Sequence, residues 1–148
     1  MTRFYFGLDK KGKLVRDQIS PDLLREKHVI KSRKISGDEF LRELLKKFPE
    51  EFGEMLEAFE ANDREEEKAE LADLQSIIDA YIRARGFDAA EINRLKDEKI
   101  KRRGAFDKGL FVEWIDLKPD ANNYQFWAKY YRDRPNQYLE EKENKQPI

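Results

Sequence analysis

From residue 36 onward, apolar side chains recur at helical spacing. Phe40, Leu41, Leu44, Leu45, Phe48, Phe52, Met55, Leu56 and Phe59 mark a face that runs to about Ala61,. Ahead of it, Ser36-Gly-Asp-Glu39 has the spacing of a capping box, in which a hydroxyl and a carboxylate satisfy free backbone N–H groups,. Pro49 removes one backbone donor and Gly53 loosens the chain, so a kink or break is expected near 46–49,. Asp63-Arg-Glu-Glu66 opens a second helix to about Arg85, with Leu71, Leu74, Ile77, Ile78 and Tyr81 inward and Gly86 as a stop,. Asp88-Ala-Ala-Glu91 starts a third, with Ile92, Leu95 and Ile100 on its apolar side. Its last turn, Lys99–Arg103, places cations at the negative helix end, and Gly104 can terminate it,.

The flanks carry other patterns. Arg3–Leu8 reads as a short strand followed by a turn at Asp9–Gly12, and Pro21 suits the first turn of a short helix over Asp22–Lys27,. Leu110-Phe-Val-Glu-Trp-Ile-Asp-Leu117 is strand-like, is expected to pair with Phe4–Phe6, and ends before Pro119,. Beyond it, a cap at Asn122 or Asn123 precedes an aromatic stripe, Tyr124, Trp127, Tyr130 and Tyr131, that Pro135 should stop; Glu140–Ile148 is polar enough to fray,. With no repeat and no linker, one domain is expected over 1–148, with an aromatic extension from about 114. The fold class is all-α: a helical bundle with short peripheral β-strands near the N-terminus and at about 110–117.

Composition narrows the chemistry. At 148 residues the chain suits one compact domain, and 41% charged residues with a mean hydropathy of −0.93 imply a small core under a highly charged surface,. No stretch approaches the roughly 20 apolar residues of a membrane helix, and the N-terminus lacks a signal-like apolar run, so a soluble, cytoplasmic protein with no membrane partner is expected. With no cysteine and only His28, thiolate and histidine-rich metal sites are excluded, and any metal must be a hard one held by oxygen,. His28 itself reads as an exposed or hydrogen-bonded side chain without catalytic duty.

The net charge of −1 is a cancellation. Residues 1–34 total +6, residues 35–79 total −10, residues 80–110 total +4 and residues 111–148 total −1. An acidic block between basic ones does not suit a nucleic-acid polymer, which favours one continuous basic surface. It suits a site that holds cations and polyanions together.

Within the acidic block, Glu50, Glu51 and Glu54 stand as EExxE, and Glu70 and Asp73 as ExxD. At about 100° per residue, Glu54 lies roughly 60° from Glu51 and roughly 40° from Glu50 around the helix, and Asp73 roughly 60° from Glu70, so each set can project from one face. If the two helices pack antiparallel, four or five carboxylates converge. Anions so close repel unless divalent cations join them, and an all-oxygen shell selects Mg²⁺ or Mn²⁺ over Zn²⁺. The competing reading is a solvated acidic face, since such spacings arise by chance on any highly charged helix. Position on the helix argues for the site: Glu54 borders Leu45, Phe48, Phe52 and Met55, and Asp73 sits among Leu71, Leu74, Ile77 and Ile78.

KLVRD at 13–17, EExxE at 50–54, AELAD at 69–73 and Lys99-Ile-Lys-Arg-Arg-Gly-Ala-Phe106 stand in an order that resembles the all-α nucleoside triphosphate pyrophosphatases, in their MazG-like and phosphoribosyl-ATP pyrophosphohydrolase-like branch. The resemblance covers about residues 11–111. It implies a Mg²⁺-dependent enzyme, with Mn²⁺ as a substitute, whose helical-bundle site is completed in a homodimer or homotetramer. The implied reaction cleaves a nucleotide between its α and β phosphates, giving a monophosphate and pyrophosphate, on deoxynucleotides or non-canonical nucleotides. Glu51, Glu54, Glu70 and Asp73 match the metal-binding acids, and Glu50 the extra acid that binds another ion or orients the attacking water. Lys99 and Arg103 match phosphate-holding cations, against a bland role as helix-end charges. Lys13, Arg16 and Asp17 match the N-terminal motif, where Arg16 either reaches a phosphate or, with Asp17, ties the segment to the bundle. Gly104 and Phe106 match the RGxF portion, with core packing the favoured use of Phe106 and base contact the other.

Three alternatives remain at this point. Phosphoribosyl-ATP hydrolysis is disfavoured by the KLVRD start. A non-catalytic helical interaction or regulatory module is suggested by Pro49, Gly53 and the aromatic tail, whose stripe reads as a docked helix ahead of a lid over a nucleotide base. A di-iron carboxylate protein lacks its usual Glu-x-x-His pairs.

Overall fold

The computed structural model describes residues 2–7 and 9–140. Five helices form among them: α1 (Ile19–Arg25), α2 (Gly37–Glu60), α3 (Arg64–Arg85), α4 (Ala89–Arg103) and α5 (Tyr124–Arg132). The all-α expectation holds, and the expected strands do not form among the described residues. A strand is stable only in a ladder. The 110–117 segment stays unpaired, with Leu110 and Phe111 more than four-fifths exposed, and Phe4 is equally bare,. Leu8, Glu141–Ile148 and the fraying expected there lie outside the described residues.

The chain divides into two compact units, Met1–Gly104 and Ala105–Ile148. In the first, α2 and α3 form an αα-hairpin through the turn at Ala61–Asp63, and theirs is the extensive helix–helix contact,. The chain reverses there for local reasons. Asn62 takes a left-handed φ of 56°, and the Asp63 carboxylate accepts the Glu66 backbone N–H at 3.1 Å, the capping bond expected from the spacing,. At the far end of α3, Gly86 adopts a left-handed φ of 65°, the conformation a helix-terminating glycine supplies without a Cβ penalty,.

Two expectations fail in instructive ways. Ser36 occupies the N-cap position of α2 but its side chain makes no capping bond, and the Glu39 carboxylate, which would complete the box, instead accepts a forked pair from the Arg33 guanidinium,. For the Glu39 carboxylate, a charge-assisted bidentate contact outcompetes a single bond to a backbone N–H. Second, α2 runs unbroken through Pro49. One missing N–H does not end a helix whose Leu44, Glu51 and Ala58 are buried along its length, since tertiary packing outweighs local propensity. Similarly, Asp88 caps α4 by accepting from the Ala90 N–H at 2.9 Å, within an otherwise fully accessible helix that buries no residue.

The seam between α2 and α3 is small and mixed. Leu44, Ala58 and Ile77 are its buried apolar side chains, with Leu41, Phe48, Met55, Leu74 and Tyr81 half-buried around them. The second unit packs on itself. Trp127 stacks on Tyr131 with ring centroids 6.0 Å apart, Tyr131 meets Tyr138 edge-on at 4.7 Å, the Arg134 guanidinium lies 3.9 Å over the Tyr130 ring, and Ala128 is buried beneath,. The aromatic stripe is thus the core of its own unit. Its N-cap is Asn123, one of the two expected positions, in a left-handed conformation and with no side-chain capping bond.

Pro49 is exposed, and a Cβ on Gly53 meets nothing within 4 Å. Pro49→Ala is therefore expected to raise the unfolding free energy by about 1–3 kcal/mol and Gly53→Ala by about 0.5–1 kcal/mol. Urea unfolding followed by circular dichroism checks both; a loss of stability in either variant contradicts a helix-propensity cost at that position.

Candidate metal centre

The hairpin sets the level of each acid. Glu51 and Asp73 stand at equal distances along the chain from the turn centre Asn62, as do Glu54 and Glu70. Two antiparallel helices with equal rise bring such pairs to matching heights. Glu51, Glu70 and Asp73 accordingly offer carboxylate oxygens that all lie within 4.8 Å of one another. Glu51 and Glu70 are each only 6% exposed, the buried charged side chains among the described residues. Glu54 is exposed and outside this tight group, and lines a groove of about 300 Å³ with Glu57, Ala58, Ala61, Asp63, Glu66 and Glu70.

Three cations answer these anions. Lys47, one helical turn before the motif, reaches Glu51 at 2.5 Å and Glu50 at 2.8 Å. Lys13 comes from the N-terminal segment to the same Glu50 oxygen at 2.7 Å. Arg16, from that segment too, donates through Nη2 to Asp73 Oδ1. Burial pushes the Glu50 carboxyl upward, but the Lys13 and Lys47 ammoniums outweigh it and hold it below the ordinary value,. For Lys47, burial pulls downward and is outweighed by Glu50 and Glu51, so its ammonium is held more firmly than usual.

Glu70 lacks such a partner. Its Oε2 is buried and meets no hydrogen-bond donor among the described residues. Burial first, then contact with Glu51 and the charges of Glu54, Glu51 and Glu66, raises the Glu70 carboxyl to about 7. Glu54 is raised as well, by burial and then by the charges of Glu51 and Glu50. A buried carboxylate oxygen without a donor, beside two further carboxylates, fits a hard divalent cation: the donor set is all oxygen, and a positive charge there removes both the repulsion and the missing contact. Glu51, Glu70 and Asp73 are the residues that would hold it, with Glu54 at the rim.

The remaining site expectations land elsewhere. Lys99 and Arg103 lie on α4, outside the α2–α3 contact, and are exposed. Lys13 and Arg16 lie on carboxylates. Phe106 is 99% exposed, so core packing is not its use within its own unit, where nothing covers the chain just after Gly104. His28 is exposed, 3.6 Å from Glu26. Sequence reasoning passed over Lys47, although a lysine three and four residues before two glutamates is a legible helix pair; Glu57, also passed over, lines the groove with Glu66, which the sequence marks only as a capping-box residue.

The raised Glu70 value has a stability consequence. A carboxyl that holds its proton more tightly folded than unfolded contributes stability that is fully present below its ordinary value of 4.5 and lost as pH rises through about 7,. In EDTA, the thermal midpoint should fall further between about pH 5 and about pH 8 for the unaltered protein than for Glu70→Gln, which carries no titrating proton. Equal falls contradict the raised value. The chain matches no family model, no curated protein and no solved structure.

Proposed function

We propose that the protein is a Mg²⁺-dependent nucleoside triphosphate pyrophosphohydrolase, with Mn²⁺ as a substitute, acting on deoxynucleotides or non-canonical nucleotides. The observation that carries this reading is the convergence of Glu51, Glu70 and Asp73 around a buried carboxylate oxygen that no donor among the described residues satisfies. An ion-pair network gains nothing from a buried carboxylate oxygen left without a donor, whereas a divalent cation would satisfy it. The ordered motifs of the chain supply the reaction class.

When bound, a divalent ion shields phosphate charge and lowers the pKa of a coordinated water. The protein's own groups supply the rest. Glu50, held below the ordinary carboxylate value, stays ionised near neutrality and is suited to accept a hydrogen bond from the attacking water and aim it rather than to take its proton,. Lys99 and Arg103 are the proposed phosphate clamps. They would come from a second copy of the chain, because α4 has no extensive contact with α2 or α3 of its own. A homodimer or homotetramer is supported by what the chain leaves uncovered: Phe52, Leu56, Phe59, Leu71 and Ile78 on the hairpin, and Ile92, Leu95 and Ile100 on α4, are all exposed,.

A second reading has one observation in its favour. Lys13, Arg16 and Lys47 already neutralise much of the cluster, as they would in a non-catalytic helical module. One experiment separates the two: a panel of canonical and modified nucleotides, with phosphoribosyl-ATP included, assayed with Mg²⁺ or Mn²⁺ and read by separating pyrophosphate from orthophosphate. The hydrolase reading expects pyrophosphate release that Glu54→Gln and Asp73→Asn each lower by about 100-fold or more while the circular dichroism spectrum is retained. Absence of release across the panel, or variants as active as the parent, contradicts it.

A further inference from the structure

The carboxylate cluster carries its own counter-cations, and they are not equivalent. Lys47 is tied to Glu50 and Glu51 within a single helix, and its side chain is 19% exposed. Its pairing needs no chain closure, since both partners lie about one turn away on the same helix,. Arg16 differs in each respect. It precedes α1 in a segment with no regular secondary structure, lies 57 residues from Asp73 in sequence, and its side chain is 63% exposed. An exposed pair of that kind contributes little to folding, about 0–1 kcal/mol. Yet its partner, Asp73, is one of the three acids whose oxygens converge.

Counting charges sharpens the point. Glu50, Glu51, Glu54, Glu70 and Asp73 are five acids, and Lys13, Arg16 and Lys47 are three cations facing them. With all five ionised, the residual charge of about −2 is what one divalent ion neutralises. A dication on Asp73 then places two positive charges against a guanidinium that occupies the same carboxylate. The exposed, loosely tethered group is the one to leave. Once displaced, the guanidinium stands beside a metal site that attracts polyanions, and its planar fork matches phosphate oxygens.

We infer that Arg16 is an exchangeable counter-ion of the metal centre, which releases Asp73 when a divalent cation binds and transfers its guanidinium to the phosphate oxygens of the incoming polyphosphate. Arg16 is thereby a positioning residue whose location depends on the occupancy of the carboxylates, while Lys47 stays in place and orients Glu51. This inference rests on the metal-dependent reading above and adds to it a competition between Arg16 and the metal.

The competition has a signature that a structural clamp lacks, namely effects of opposite sign. Isothermal titration calorimetry of the full chain with Mn²⁺ alone should show Arg16→Gln binding about tenfold tighter than the unaltered protein, because the competing charge is gone. Titration of inorganic triphosphate in saturating Mn²⁺ should show the same variant binding about tenfold weaker. Arg16→Lys, which keeps the charge, should leave Mn²⁺ affinity within about twofold of the parent. The far-ultraviolet circular dichroism spectrum of each variant checks that the helices persist. Unchanged or weakened Mn²⁺ binding in Arg16→Gln, or triphosphate affinity that does not fall, overturns the exchange while leaving the metal centre standing. If neither the parent nor Arg16→Gln binds Mn²⁺, the metal-dependent reading fails and the exchange with it.

Discussion

Two carboxylates, Glu51 and Glu70, are buried in the seam between two helices that has few apolar side chains to spare. Removing an ionised carboxylate from water is costly unless a charge or a set of donors replaces the lost hydration. The rest of the first unit is arranged around that requirement. Lys47 satisfies Glu51 from one turn away, Lys13 and Lys47 hold Glu50 ionised, and Arg16 reaches across to Asp73. Glu70 is left with an oxygen that no donor among the described residues meets, and burial, then Glu51 and the charges of Glu54 and Glu66, raise its carboxyl to about 7. The hairpin is thus built with a deficit of positive charge at one point, and the proposed chemistry depends on that deficit.

The turn converts this local demand into geometry. Asn62 and the Asp63 cap reverse the chain so that EExxE and ExxD meet at matching heights, and the register follows from the placement of the motifs about the turn. Shifting either helix by one residue would rotate its acids by about 100° and separate them. Capping, register and site are therefore one feature at three scales. The exposed apolar residues of α2, α3 and α4 belong to the same account: a seam occupied by acids cannot bury all the hydrophobic surface that the helices carry, and this surface supports the proposal of a second copy.

Much of this was legible in residue order. The bounds of α2, α3 and α4, the Asp63 and Asp88 caps and the Gly86 stop all follow from local chemistry, in which the deciding partners sit within four residues of one another. The converging acids followed from periodicity plus one assumption, antiparallel packing. What escaped involved competition between partners. Ser36 has cap spacing, but Arg33 claims Glu39; Pro49 predicts an interruption, but packing of the flanking residues carries α2 through it. The 110–117 segment has the apolar, aromatic-rich composition of a strand and forms none, since a strand is a property of two segments and composition describes one,. Arg16 and Asp73 lie 57 residues apart, and no local rule pairs them.

The central claim is that Glu51, Glu70 and Asp73 form a divalent-cation site. Crystals soaked in Mn²⁺ and measured near the manganese absorption edge test it directly. The account predicts an anomalous difference peak bounded by carboxylate oxygens of these three residues at roughly 2.1 Å, the range expected for a small hard dication. A peak only at other, exposed acids, or none in the α2–α3 seam at saturating Mn²⁺, contradicts it.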